Sequence, residues 1–184
     1  EIVEQLEARI AAVEGRGVVN RMPLHEAERQ GLLEIFDPEP EYLAHLATIV
    51  DVQAIRNAGL NVVVDSMYGS GSGYLKKLLE GGTTRIIEIH GERNPAFPGM
   101  AQPEPIAQNL TELIEAVQDN NADVGLATDG DADRLGIVDE SGNFVTTLQT
   151  FALLCMHRLD VMGERGPLVR SITMTSMIDR LAEA

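Results

Sequence analysis

Thr128-Asp129-Gly130-Asp131-Ala132-Asp133-Arg134 places three carboxylates at alternate positions, directly after an apolar run, Ala122-Asp123-Val124-Gly125-Leu126-Ala127. Carboxylates about 4 Å apart repel by roughly 1–4 kcal/mol per pair, depending on the local dielectric. A hard divalent cation removes that repulsion, and oxygen ligands spaced by one residue in a tight loop can converge on one ion. Gly130 and Ala132 keep the intervening positions small enough for the loop to wrap. Arg134, next to the triplet, would partly neutralise it or contact a phosphate bound to the metal. A solvated acidic turn is the competing reading, and the strand-loop-strand setting weighs against it.

Several chemistries could use such a loop. A helix-loop-helix calcium site wants acids at loop positions one, three, five and twelve, with glycine at six. Asp129, Asp131, Asp133 and Glu140 match, but position six is Arg134 and strands flank the loop, so that site is rejected. Haloacid dehalogenase-like phosphatases end a strand in Asp-x-Asp, a nucleophile and an acid/base on magnesium, and Asp129 and Asp131 fit that opening. Such a phosphatase also uses a lysine far downstream, whereas the lysines here, Lys76 and Lys77, lie upstream. A magnesium-dependent phosphatase therefore stays as an alternative, as does a non-enzymatic divalent-cation-binding module.

The elements that must position this loop are read from periodicity. Asn61–Asp65, Arg85–Ile89, Asp123–Ala127 and Leu135–Val138 read as strands, with helices over 74–80, from about 106 to 119, and over 148–159. Alternating strands and helices imply crossovers and a mostly parallel sheet covered on both faces. The link between the third and fourth strands is too short for a helix, so that pair is expected to be antiparallel. The fold class is thus α/β, a three-layer α/β/α domain with a small mixed sheet. Before it, apolar residues at helical spacing predict helices over 1–14, 24–30 and 37–55, with Asp37 as N-cap of the last. After it, Leu168–Met174 reads as a strand followed by a helix. The predicted division is 1–57 helical segment, 58–162 α/β domain, and 163–184 the truncated start of a further domain. Glu1 and Ala184 both fall inside apparent helices, so the chain is expected to be an excised middle.

Gly69-Ser-Gly-Ser-Gly73 follows a strand and opens a helix, and Glu88 lies 19 residues after Gly69. A dinucleotide fingerprint would need its third glycine at position 74, which is Tyr, and the Gly-Lys-Ser/Thr of a P-loop is missing. A tight turn with close helix packing suffices for these glycines. His25, His45, His90 and His157 lack metal-ligand spacing, and His45 and His157 are expected on helix faces.

The motifs together carry a more specific likeness. Asp129-Gly-Asp-Ala-Asp-Arg134 resembles the metal-binding loop of the α-D-phosphohexomutases, the phosphoglucomutase/phosphomannomutase family. Val64–Leu75 resembles the first strand and turn of that family's second domain. Phe97-Pro98-Gly99, Pro103-Glu104-Pro105 and Asn109-Leu110 resemble the loop and helix start before its metal strand, and Ile137–Gly142 the returning strand. The family's histidine near Phe-Pro-Gly is replaced by Met100 and Ala101, a loop variation.

The resemblance implies that Asp129, Asp131 and Asp133 hold Mg2+, with Arg134 beside a phosphoserine's phosphate. It implies a phosphotransferase that interconverts hexose 1- and 6-phosphates through a bisphosphate. The family's nucleophilic serine sits in a Thr-Ala-Ser-His-Asn-Pro-type motif, which is absent from this chain, so the chain alone is expected to be inactive. Its expected partners are a hexose phosphate and the other domains of the same protein.

Composition narrows the remainder. The 184 residues are 44% hydrophobic and 23% charged, an ordinary globular balance, but 14 basic against 29 acidic residues give a net charge of −15. That field repels nucleic acid and anionic membrane surfaces, so neither is an expected partner. A lone Cys155 cannot form an internal disulfide, and with no signal peptide or membrane-length apolar run the expected location is cytoplasmic.

Overall fold

A computed structural model describes residues 2–17 and 21–183. The chain packs as two units, Glu1–Tyr42 and Leu43–Ala184. The first holds helices α1 (Ile2–Glu14) and α2 (Leu24–Arg29) and the start of α3 (Glu39–Ile49). Asp37 Oδ1 accepts the Glu39 amide at 3.0 Å and so caps α3 as expected. The helix expected to run to residue 55 instead breaks at Val50–Asp51. The Asp51 side chain accepts the Ala54 amide at 2.9 Å and caps a new short helix, α4 (Val52–Arg56).

The second unit is built on strands β1 (Asn61–Asp65), β2 (Arg85–Ile89), β3 (Val124–Thr128), β4 (Leu135–Asp139) and β5 (Phe144–Val145). They form one sheet in the order β2-β1-β3-β4-β5. β1 runs parallel to both β2 and β3, and β4 is antiparallel to β3 and β5. The short link thus makes the hairpin that its length predicts. β5, only two residues long, is not legible as a period. Helix α5 (Tyr74–Leu79) joins β1 to β2, and α6 (Thr111–Asp119) joins β2 to β3 across β1. These two connections step in opposite directions along the sheet. Right-handed crossovers therefore put α5 and α6 on opposite faces, giving the three layers.

Burial follows from that architecture. β1 is an interior strand covered on both faces, so Val62, Val63 and Val64 are all buried and no alternation is needed. Edge strand β2 alternates between exposed and half-buried positions over most of its length. The core gathers Val63, Met67, Leu110, Leu113, Val117, Ala122, Ala127 and Val138. At Gly125 α6 sits close against the sheet: a Cβ there would lie 2.7 Å from Val117 Cγ2 and 3.0 Å from Leu113 Cδ1.

The helix expected from 106 begins as a 3-10 turn, Ala107–Asn109, and becomes α-helical at Thr111. Helix α7 (Thr147–Met156) opens with a capping box between Thr146 and Gln149 and ends in a π-turn, His157–Val161. The strand expected over 168–174 does not form: the described residues there pair with no strand, and a strand without a ladder leaves its backbone groups unpaired. The helix expected after it is present as α8 (Met177–Glu183). It packs Ile178 against Ala152 and Cys155 of α7.

Candidate metal centre

β1 and β3 are adjacent and parallel, so the loops at their carboxyl ends meet at one edge of the sheet. In open α/β sheets ligands bind outside the carboxyl ends of the strands. The loop after β1 is the glycine-rich Ser66–Gly73 segment, and the loop after β3 carries Asp129, Asp131 and Asp133.

The acidic loop is folded by its own first carboxylate. Asp129 Oδ1 accepts the backbone N–H groups of Asp133 (2.9 Å) and Arg134 (3.0 Å), which turns the chain back into β4. Ala132 takes a left-handed conformation (φ 63°), which disfavours large side chains at that position. Gly130 is needed for packing: a Cβ there would come within 3.0 Å of Pro103 and 3.3 Å of Phe97. Its amide donates to Pro103 O at 3.1 Å. The proline-rich loop thus backs the acidic one. Asn109 holds that loop by donating from Nδ2 to Glu104 O (2.9 Å) and Gln102 O (3.3 Å).

Within this loop Asp129, Asp131 and Asp133 each offer an oxygen, all within 4.8 Å of one another. Asp129 is buried, while Asp131 and Asp133 are exposed. Their mutual repulsion is visible: Asp131 and then Asp129 push the Asp133 carboxyl above its ordinary value. Burial acts to raise Asp129 as well. There it is outweighed by the Arg134 backbone N–H and guanidinium, which hold the carboxyl below the ordinary range. Arg134 Nε lies 2.6 Å from Asp129 Oδ2 and 3.6 Å from Asp133 Oδ1. Its Nη1 reaches Glu104 Oε1 at 2.8 Å. An all-oxygen donor set with excess negative charge fits a hard cation such as Mg2+ and suits softer metals poorly.

Three participants are not apparent from sequence. Glu104 pairs with Arg134 across 30 residues, although it sits in the Pro-Glu-Pro motif that marks its loop. Glu88, at the spacing of a ribose-binding acid, is used internally: its Oε1 accepts the Ser66 hydroxyl (2.7 Å) and the Gly73 amide (2.8 Å). It braces the glycine loop. His90 bridges two acids, with Nδ1 at 2.9 Å from Asp65 Oδ1 and Nε2 at 2.9 Å from Glu112 Oε2. The Tyr68 ring packs on it at 4.6 Å. His45 lies in α3, and His157 starts the π-turn, without metal-ligand neighbours among the described residues.

Residues 40–142 match the family model for the phosphoglucomutase/phosphomannomutase alpha/beta/alpha domain II, a span containing both loops and the whole hairpin. The chain belongs to the phosphoglucomutase/phosphomannomutase family. A phosphoglucomutase/phosphomannomutase of Thermococcus kodakarensis is 36% identical over 142 residues, covering 77% of this chain and 31% of that protein. A probable phosphoglucosamine mutase of Methanopyrus kandleri is 33% identical over 134 residues, covering 73% and 29%. A crystal structure assigned as a phosphomannomutase from Thermus thermophilus superposes with a TM-score of 0.73 at 33% identity, covering 82% and 35%. The chain spans about a third of the length of the relatives it matches. None of these relatives favours the phosphatase alternative. No helix among the described residues is long and apolar enough to cross a membrane.

Proposed function

We propose that this chain is the metal-binding domain of a phosphohexomutase, a cytoplasmic intramolecular phosphotransferase that interconverts hexose 1- and 6-phosphates. The observation that carries the reading is the convergence of Asp129, Asp131 and Asp133 within 4.8 Å, in a chain of this family. In this reading the three carboxylates hold Mg2+, and Arg134 stands beside them to meet the phosphate of a phosphoserine. A bound Mg2+ supplies positive charge that offsets the charge developed on a phosphoryl group in transfer. Asp129 fixes the loop through its backbone hydrogen bonds, and Glu104 orients the guanidinium. The serine and the sugar-selecting groups belong to other parts of a longer protein. In this reading residues 1–57 are a helical segment from the end of a preceding domain with the linker that leads into the metal domain, 58–162 are the metal domain and 163–184 the start of a third. The acidic domain then depends on the metal and on those parts for the positive charge that an anionic sugar phosphate needs.

The test is a coupled assay of glucose 1-phosphate and mannose 1-phosphate turnover with Mg2+. The 184-residue chain alone is expected to turn over neither. Activity appears when the serine-bearing part of the protein is present, and is lost on Asp131→Asn. Turnover by this chain alone, or full activity with Asp131→Asn, overturns the reading.

A further inference from the structure

Asp129 is the most constrained of the three carboxylates. Its Oδ1 already accepts two backbone N–H groups, which leaves Oδ2 as the oxygen best placed for a cation. Arg134 Nε occupies Oδ2 at 2.6 Å, and the Asp129 side chain has 0% exposure while the Arg134 side chain above it is 55% exposed. With the guanidinium in that position Asp129 Oδ2 is covered and its charge already compensated. The same guanidinium has a second carboxylate: Nη1 lies 2.8 Å from Glu104 Oε1. Glu104 is a fixed post, flanked by prolines, with its carbonyl held by Asn109 and its amide donating to Gln102 O at 2.9 Å.

We propose that Arg134 is a built-in counter-cation on Asp129 that yields its place when a divalent ion enters, and that Glu104 is the positioning residue that retains it at the rim. This rests on the metal-binding reading above. Arginine suits the task because its planar fork can engage two carboxylates at once and give up one without leaving the other. Released from Asp129, the Nε–H joins the outward edge of the group and becomes a donor to an anion. The ligand class is a divalent cation paired with a phosphate monoester, and neither half is fully accommodated until the other charge has moved. Without metal, Arg134 shields Asp129 and Asp133 from their mutual repulsion while Glu104 holds its other edge.

The experiment uses the 184-residue chain, Mn2+ affinity from the free-ion paramagnetic signal, and the Arg134 Nε–H resonance during a Mg2+ titration. Arg134→Gln is expected to tighten Mn2+ by about tenfold, and Glu104→Gln to weaken it by a similar factor. In the double variant the Glu104→Gln effect is expected to vanish, because Glu104 acts through Arg134. The Nε–H resonance is expected to shift as Mg2+ saturates, a readout that needs no variant to fold. Glu104→Gln weakening Mn2+ equally with and without Arg134, or an Nε–H resonance unmoved at saturation, overturns the counter-cation while leaving the metal site standing. If neither the parent chain nor Arg134→Gln binds Mn2+, the metal-binding reading falls and takes this proposal with it. Binding by Arg134→Gln alone supports the proposal in its strongest form.

Discussion

Gly69 and Gly130 meet backbone against backbone: a Cβ on Gly69 would lie 2.7 Å from the Gly130 carbonyl oxygen and 2.9 Å from that of Asp129. The amide next to Gly69, that of Ser70, donates to the same Gly130 oxygen at 3.0 Å. The glycine-rich loop is therefore the floor of the acidic loop, and Gly69 is set by close approach to that loop, whereas Gly73 is set by its left-handed φ of 81°. Gly71 repeats the relation, since a Cβ there would meet Thr128 Oγ1 at 2.8 Å.

Gly69→Ala is accordingly expected to displace the acidic loop and destabilise the chain by about 1–3 kcal/mol, the usual cost of overpacking. Urea denaturation measures the stability loss, and a Mg2+ titration should show weakened binding in the same variant. Unchanged stability with unchanged Mg2+ affinity would contradict the packing role.

Glu88 holds both ends of that glycine loop through Ser66 and Gly73. Hydrogen bonds to a charged partner are worth more than neutral ones, so Glu88→Ala should cost about 1.5–3 kcal/mol. Because its carboxylate is engaged within the fold, it is not offered to a ribose. Calorimetric titration with NAD should therefore give no binding in either the parent chain or the variant. Micromolar NAD binding that Glu88→Ala abolishes would reverse this assignment.

Asp65, at the end of β1, supplies a pH dependence. Burial raises its carboxyl above the ordinary 3.8, against the opposing hydrogen bonds from His90 and the Met67 amide. A raised folded-state value means that the stabilisation linked to this group is fully present below the unfolded value. It is lost as pH rises through the folded one. Asp65→Asn keeps an oxygen for Met67 N–H and His90 but removes the titration. The variant should therefore gain stability relative to the parent as pH rises above 3.8, measured by urea midpoints across a pH series. Parallel pH profiles for the two proteins would exclude this role.

Parts of this arrangement are legible in the sequence for identifiable reasons. Val62-Val63-Val64 announces a strand buried on both faces, and the six residues between Thr128 and Leu135 are too few for a crossover helix, so the hairpin follows from length alone. Asp129, Asp131 and Asp133 are legible because their spacing is local. Glu104 and Glu88 are not, since their partners lie 30 and 15–22 residues away and are joined only by the fold. The break of the helix at Asp51 depends on one side chain turning back onto the Ala54 amide, which competes with a helical period that continues to Ile55. The expected strand over 168–174 has the right residue types, but a strand is made by its neighbour as much as by its sequence.

The central claim is that the carboxylates after β3 hold a divalent cation, and a calorimetric Mg2+ titration of the 184-residue chain tests it most directly. Asp131 is exposed, with no part in the hydrogen bonds that fold the loop, so Asp131→Asn removes a ligand charge and leaves the fold intact. The expected result is one Mg2+ per chain, with affinity reduced about tenfold or more in Asp131→Asn because ligand charge count sets the strength of such sites. Equal Mg2+ affinity in the two proteins, or no binding to either, would contradict it.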